Sequence, residues 1–164
     1  MRRSHKKAPV LVLRNNKAMF LWGFAVVFTT MLALMTHVLV RDGAPKGYSP
    51  LFMTGVFLFF WCGALGLASW AMESCCTAVR VTADGNVHVL WRYPLRREQR
   101  WLDRQAVPAA AVFASTDDEG DPYFYARLTL GDGTIINLAE WHDREACEEI
   151  CARFNAAVSG RASD

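Results

Sequence analysis

Charged residues are missing from two long stretches of this 164-residue chain. No Lys, Arg, Asp or Glu occurs from residue 18 to 40 or from 51 to 72, so each stretch has at least 22 uncharged residues. As an α-helix, each would measure roughly 33 Å, which matches the roughly 30 Å hydrocarbon core of a bilayer. Buried helices of a soluble core are the alternative, but uncharged runs this long in so short a chain favour a membrane. The sequence therefore predicts transmembrane helices over 18–40 and 51–73, joined by an extracytoplasmic link over 41–50.

Motifs of common catalytic and cofactor sites are absent as well. The chain has no Gly-rich phosphate loop, no nucleophile elbow and no H-E-x-x-H pair. No A-x-A-like cleavage site follows the first apolar run, which is far longer than a signal-peptide core of about 7–15 residues. We therefore expect a retained membrane anchor, in a protein that is not an enzyme and carries no cofactor.

Charge is divided unevenly along the chain. Residues 1–17 form a basic arm with six cations and no acid, whereas the link has two cations and one acid. Cytoplasmic flanks of membrane helices are enriched in Lys and Arg, so both termini should be cytoplasmic, at the inner membrane if the host is a bacterium. Trp22 and Trp70 should then lie at the cytoplasmic interface of the bilayer.

Small residues recur along both predicted helices and would let helices approach closely. They either pack the two helices against each other or receive a helix from another protein. These helix-packing candidates are Ala25, Thr29, Ala33, Gly63, Ala64 and Ala68.

Residues 74–159 show first the alternation typical of β-strands and then helical spacing. Six strands are predicted, beginning at Thr77, Val87, Glu98, Ala110, Tyr123 and Thr134. Asp143 is a suitable N-cap for a closing helix with one apolar face, and residues 160–164 form a short tail. The apolar segment 9–13 of the basic arm either lies at the membrane interface or adds an edge strand to this domain.

Antiparallel strands followed by one amphipathic C-terminal helix resemble a pleckstrin-homology-like (PH-like) domain. The whole chain resembles small bacterial membrane proteins in which a two-helix hairpin precedes such a domain. The resemblance implies an α+β fold over 74–159, an antiparallel barrel or sandwich capped by the helix, although that family has seven strands. Its phosphoinositide-binding members carry cations in the turn between the first two strands, whereas here the turn 83–86 is Ala-Asp-Gly-Asn. The resemblance therefore implies a cytoplasmic scaffold that binds a protein.

Two sets of side chains in this domain are candidates for contact. Arg92, Arg96, Arg97 and Arg100 either face anionic lipid headgroups or form a solvated face that nearby acids neutralise. From Ser74 onward the chain has ten arginines and fourteen acids, a net charge of −4, which argues against binding to nucleic acid. The candidates for binding a partner are Trp91, Trp101, Tyr123, Tyr125 and Trp141.

The cysteines suggest a different function. Cys75, Cys76, Cys147 and Cys151 would make a metal or redox site if they met. However, adjacent cysteines and a helical C-x₃-C do not give the usual zinc knuckles. Small apolar core residues are the simpler interpretation of the helical pair.

These observations predict a non-enzymatic integral membrane protein that acts as a scaffold, assembly factor or accessory subunit of a membrane complex. Its partners would be the lipid bilayer and a second membrane protein or another copy of the chain. The alternatives are a membrane-bound redox or metal-handling protein and a sensor of anionic lipid.

Overall fold

Two long helices, α1 (Ala18–Asp42) and α2 (Pro50–Glu73), are the apolar part of the computed structural model, which describes residues 9–117 and 119–160. Both are long and apolar enough to cross a membrane. Most of their side chains are exposed, with Phe20 at 83% and Phe59 at 75%. An apolar surface this large is typical of a protein that meets lipid or another protein there.

The helical hairpin is held by a few contacts of its own. Ser49 caps α2, since its Oγ accepts a hydrogen bond from the backbone N–H of Phe52 at 3.1 Å. Pro50 follows in the first turn, where its fixed φ suits the helix. Between the helices, Trp61 Nε1 donates to Thr36 Oγ1 at 3.1 Å. The contacts place residues 16–75 in one compact unit together with 93–95.

The second unit, the β domain, contains seven strands within the described residues. They are β1 (Pro9–Asn15), β2 (Cys76–Thr82), β3 (Val87–Arg92), β4 (Arg97–Leu102), β5 (Ala111–Thr116), β6 (Pro122–Thr129) and β7 (Ile135–Trp141). All pairings are antiparallel, in a four-stranded sheet of order β1-β2-β3-β4 and a three-stranded sheet of order β5-β6-β7. A short 3₁₀ turn (Arg104–Ala106) precedes β5, and helix α3 (Arg144–Ser159) follows β7.

Strand β1 decides between the two alternatives for the apolar segment of the basic arm. It pairs with β2, with Leu11 opposite Val81 and Asn15 opposite Thr77. The edge-strand alternative is therefore correct, and the described strands number seven where the sequence predicted six. Since β1 precedes α1 and β2 follows α2, the helical hairpin is inserted between two paired strands.

An open sandwich encloses the core of the β domain, with the two sheets and α3 each contributing apolar side chains. The core residues with at most 1% exposure are Val79, Val81, Val87, Val89, Ala126, Leu128, Ile136, Cys147 and Phe154. Asp143 caps α3 by accepting the backbone N–H of Glu145 at 2.9 Å, as predicted. Asn155 joins α3 to the segment before β5, because its Oδ1 accepts the N–H of Ala110 at 2.8 Å and its Nδ2 donates to the same residue's C=O at 3.0 Å.

Candidate functional site

Side chains of β6 alternate between the core and the outer face of the three-stranded sheet. Leu128 is fully buried, whereas Tyr123, Tyr125 and Arg127 take the alternate positions and are half-buried. The two tyrosine rings meet edge to face with centroids 5.1 Å apart. The Arg127 guanidinium lies 5.0 Å from the Tyr125 ring centre and 5.2 Å from that of Phe113 on β5, within range of a cation–π interaction. We call Phe113, Tyr123, Tyr125 and Arg127 the aromatic surface.

Hydrogen bonds hold the aromatic surface in place from its sides. Glu140 on β7 accepts from Tyr123 Oη at 3.3 Å and from Asn15 Nδ2 of β1 at 2.6 Å. Arg127 Nε donates to Asn137 Oδ1 at 3.1 Å. A surface ordered in this way loses little side-chain entropy when a partner binds.

The five aromatic residues that the sequence nominated for partner binding separate in the structure. Trp91 packs against the core, so it serves the fold. Trp101 on β4 is 63% exposed, and Trp141 at the end of β7 is 56% exposed. Only Tyr123 and Tyr125 are brought together on the aromatic surface.

Phe113 and Arg127 complete that surface and were missed by the sequence analysis. Both fall on predicted strands, at positions that alternate with apolar core residues. Period-two counting along the two strands would have placed them on the outer face. The pairing of Phe113 on β5 with Tyr125 on β6 could not be predicted from the sequence of either strand alone.

The arginines nominated for lipid contact also divide. Arg100 Nη1 lies 2.6 Å from Asp132 Oδ2, and the backbone N–H of Thr134 donates to Asp132 Oδ1 at 3.0 Å. The Thr134 hydrogen bond first, and the Arg100 guanidinium second, hold the pKa of Asp132 well below its usual range. The charge of Arg100 is thus compensated inside the β domain.

Three further arginines differ in their surroundings. Arg96 Nε lies 3.3 Å from Glu98 Oε1, with both side chains more than half exposed. Arg92 and Arg97 lie directly opposite each other on β3 and β4. Arg104, which was not among these candidates, lies in the 3₁₀ turn after β4. It donates from Nη2 to the C=O of Ser159 at 2.5 Å and so caps the end of α3.

The cysteines do not converge on a single site within the described part of the chain. None of the five is in a disulfide, and no cluster of three or more His, Cys, Asp or Glu side chains that could hold a metal ion is found there. Cys147 and Cys151 are buried on α3, where the Cys147 thiol donates to the C=O of Phe124 at 3.5 Å. Burial raises the pKa of both thiols, which lowers their reactivity.

The helix-packing candidates also separate by exposure. Ala25 and Ala64 are buried in the hairpin, Thr29 and Ala68 are half-buried, and Ala33 and Gly63 are exposed. Trp70, nominated for the membrane interface, is 63% exposed.

Trp22, the other interface candidate, borders a groove in the hairpin unit. Its Nε1 donates to the C=O of Ser74 at 3.3 Å. The groove is open and apolar, with a volume of about 340 Å³, and is lined by Trp22, Ala25, Val26, Thr29, Thr30, Ala68, Ala71, Met72 and Pro94. An apolar groove on a helix pair suits an acyl chain or a neighbouring helix rather than a polar substrate.

No protein-family model matches the chain, and no curated protein sequence is significantly similar to it. The function of the chain must therefore be inferred from its own residues.

Proposed function

We propose that this protein is a non-enzymatic membrane scaffold or accessory subunit. Its helical hairpin spans the bilayer and holds a PH-like β domain at the cytoplasmic face, where the aromatic surface binds a neighbouring membrane protein or a second copy of the chain. Assembly of a membrane complex is the corresponding cellular role.

The insertion of the hairpin between β1 and β2 is the observation that carries this proposal. Residues 16 and 17 alone connect β1 to α1, and residues 74 and 75 alone connect α2 to β2. Two residues reach at most about 7 Å, so a hairpin within the bilayer tethers the β domain to it at two points. Such confinement raises the effective concentration of the domain near other membrane proteins, and a modest contact surface then suffices for binding.

The strand order supports the PH-like assignment. A four-stranded and a three-stranded antiparallel sheet, followed by one packed helix, agree with the seven strands of that family. The turn from Thr82 to Asn86 contains Asp84 and no cation. Because β1 is the first strand, this turn joins the second and third strands, and the helical hairpin takes the place of the connection in which the phosphoinositide-binding members carry cations.

Membrane insertion and orientation are tested first. The chain should stay in the membrane pellet after carbonate washing, and protease added outside intact cells should leave the β domain uncut. Release by carbonate would contradict the two spans. Digestion from outside would contradict the cytoplasmic orientation, which depends on the basic arm and the flanks of the hairpin.

The aromatic surface is tested by capture of partners from membranes solubilised in mild detergent, followed by mass spectrometry. Arg127→Ala should reduce the amount of co-purified partner at least several-fold, because arginine and tyrosine side chains in ordered clusters dominate binding energies. Arg153→Ala on α3 is the matched control, since Arg153 is exposed and has only a weak ion pair, at 3.9 Å from Glu149. Equal capture by both variants would contradict this role for the aromatic surface.

A further inference from the structure

The outer face of the four-stranded sheet carries one arginine from each strand. Arg14, Arg80, Arg92 and Arg97 belong to β1, β2, β3 and β4, respectively. They alternate along the strands with core residues such as Val79, which is 1% exposed. We call these four side chains the cationic face.

The strand register shows what lies between these arginines. Arg14 is opposite Ala78, Arg80 is opposite His88, and His88 is opposite Trp101. The remaining positions of this face on the paired strands are apolar or uncharged: Val12, Cys76, Thr82, Leu90 and Gln99. No Asp or Glu occupies these positions, although the chain from Ser74 onward has a net charge of −4.

The four charges are also uncompensated by acids within the described residues. Arg14, Arg80, Arg92 and Arg97 form no salt bridge there, in contrast to Arg96 and Arg100. Arg92 and Arg97 are direct cross-strand neighbours, and like charges in that position repel each other and destabilise the pair. An anion bound between them removes this repulsion, so the arrangement is suited to an anionic ligand.

We propose that the cationic face binds the phosphate groups of anionic phospholipids in the bilayer that the hairpin occupies. The inference rests on the membrane insertion proposed above. Links of two residues keep the paired ends of β1 and β2 near the lipid surface, so headgroups are always within reach. Arginine forks match phosphate oxygens in two-point hydrogen bonds. Trp101, which is 63% exposed and stacks on His88 with centroids 4.3 Å apart, suits the headgroup layer.

This binding would orient the β domain. The two sheets pack through a common core, so the cationic face and the aromatic surface lie outside that core on different sheets. Docking of the cationic face on lipid leaves the aromatic surface free for a protein partner. Lipid charge would thereby control how well the scaffold presents its binding surface.

The test uses the full chain in lipid nanodiscs made of phosphatidylcholine, with or without phosphatidylglycerol. A nitroxide-headgroup lipid in both kinds of disc quenches tryptophan at the lipid surface. The Trp101 signal is the difference between the chain and its Trp101→Phe variant. We expect stronger quenching of Trp101 with phosphatidylglycerol, and loss of that increase at high salt.

Charge variants make the test specific. Each cation near the surface strengthens binding about five-fold, so Arg92→Gln/Arg97→Gln should weaken docking about 25-fold and abolish the increase. Arg144→Gln/Arg153→Gln removes the same amount of charge from α3 and should leave the increase in Trp101 quenching intact. Should the first pair fail to fold, as judged by near-ultraviolet circular dichroism, Arg14→Gln/Arg80→Gln tests the same face.

Three results would overturn the inference. The first is Trp101 quenching that is the same with and without phosphatidylglycerol. The second is an equal loss of the quenching increase in both pairs of variants. The third is a Trp101 signal that responds to added poly-L-glutamate but not to phosphatidylglycerol. The last would identify an acidic protein segment as the ligand. Retention of the chain in carbonate-washed vesicles reports membrane insertion separately, so failure of the proposed function is distinguishable from failure of the cationic face.

Discussion

Two matched glycines allow the packing of the β2–β3 turn against α3 to be measured. Gly85 and Gly133 occupy equivalent hairpin turns, each preceded by Asp, with φ of 79° and 82°. Both turns close with the same pair of backbone hydrogen bonds, of 2.9 Å each. The surroundings differ, because a Cβ on Gly133 would meet nothing within 4 Å, whereas one on Gly85 would lie 2.6 Å from the C=O of Val158 and 2.8 Å from Cδ of Arg104.

Substitution by alanine therefore separates backbone strain from steric overlap. Both variants incur the cost of a positive φ, about 1–2 kcal/mol, offset in part by the lower entropy of the unfolded chain. Gly85→Ala must in addition displace a backbone carbonyl in the last turn of α3, and overpacking of this kind costs about 1–3 kcal/mol. The Arg104 side chain has little freedom to move aside, because its guanidinium caps Ser159.

The assay is urea unfolding of the β domain, with the full chain in nanodiscs and near-ultraviolet circular dichroism as the signal. With a denaturant slope of about 1–3 kcal/mol per M, the midpoint of Gly85→Ala should fall about 1 M below that of Gly133→Ala. Equal midpoints would refute the close packing of this turn against the end of α3. A Gly133→Ala variant that unfolds first would refute the reasoning altogether.

Three further predictions concern the β domain. Asn155→Leu removes two hydrogen bonds and leaves the backbone of Ala110 unpaired. Thermal unfolding should therefore show that the free energy of unfolding falls by about 2–4 kcal/mol. An unchanged midpoint would contradict the role of Asn155 in joining α3 to the segment before β5. Cys147 and Cys151 should resist maleimide labelling until urea unfolds the chain. Since their folded pKa values are raised, stability should be full below the ordinary thiol pKa and fall as the pH rises above it, and rapid labelling of the native chain would contradict this. Asp132→Asn should be less stable than the parent at neutral pH. Because the folded pKa of Asp132 is lowered, that gap should close as the pH falls below about 4, and a gap independent of pH would refute the assignment.

Local patterns predicted most of the elements correctly. The uncharged runs became α1 and α2, the cap at Asp143 formed as expected, and the six predicted strands exist within a few residues of their predicted bounds. Each of these depends on interactions within a few residues of the chain: the absence of charge, an N-cap oxygen, or alternation of apolar side chains.

Pairing across the chain was not available from such patterns. The segment 9–13 is a short apolar run, but the strand β2 with which it pairs lies beyond the whole hairpin. Whether this segment lies at the lipid interface or at the edge of a sheet depends on which surface buries its apolar side chains. The sequence of the segment alone does not specify that surface. The same limit applies to the aromatic surface, which forms only when Phe113 of β5 is paired with Tyr125 of β6.

The sequence alone determined that the chain has two apolar helices and an alternating, strand-rich domain, because composition and period act locally along the backbone. Only the tertiary structure decided which arginines stay uncompensated. Arg100 is neutralised by Asp132, 32 residues away, whereas Arg92 and Arg97 face each other with no acid of the described chain in a salt bridge. The reason is physical: the charge of a residue is known from its side chain, but its electrostatic environment depends on neighbours that the sheet register brings together.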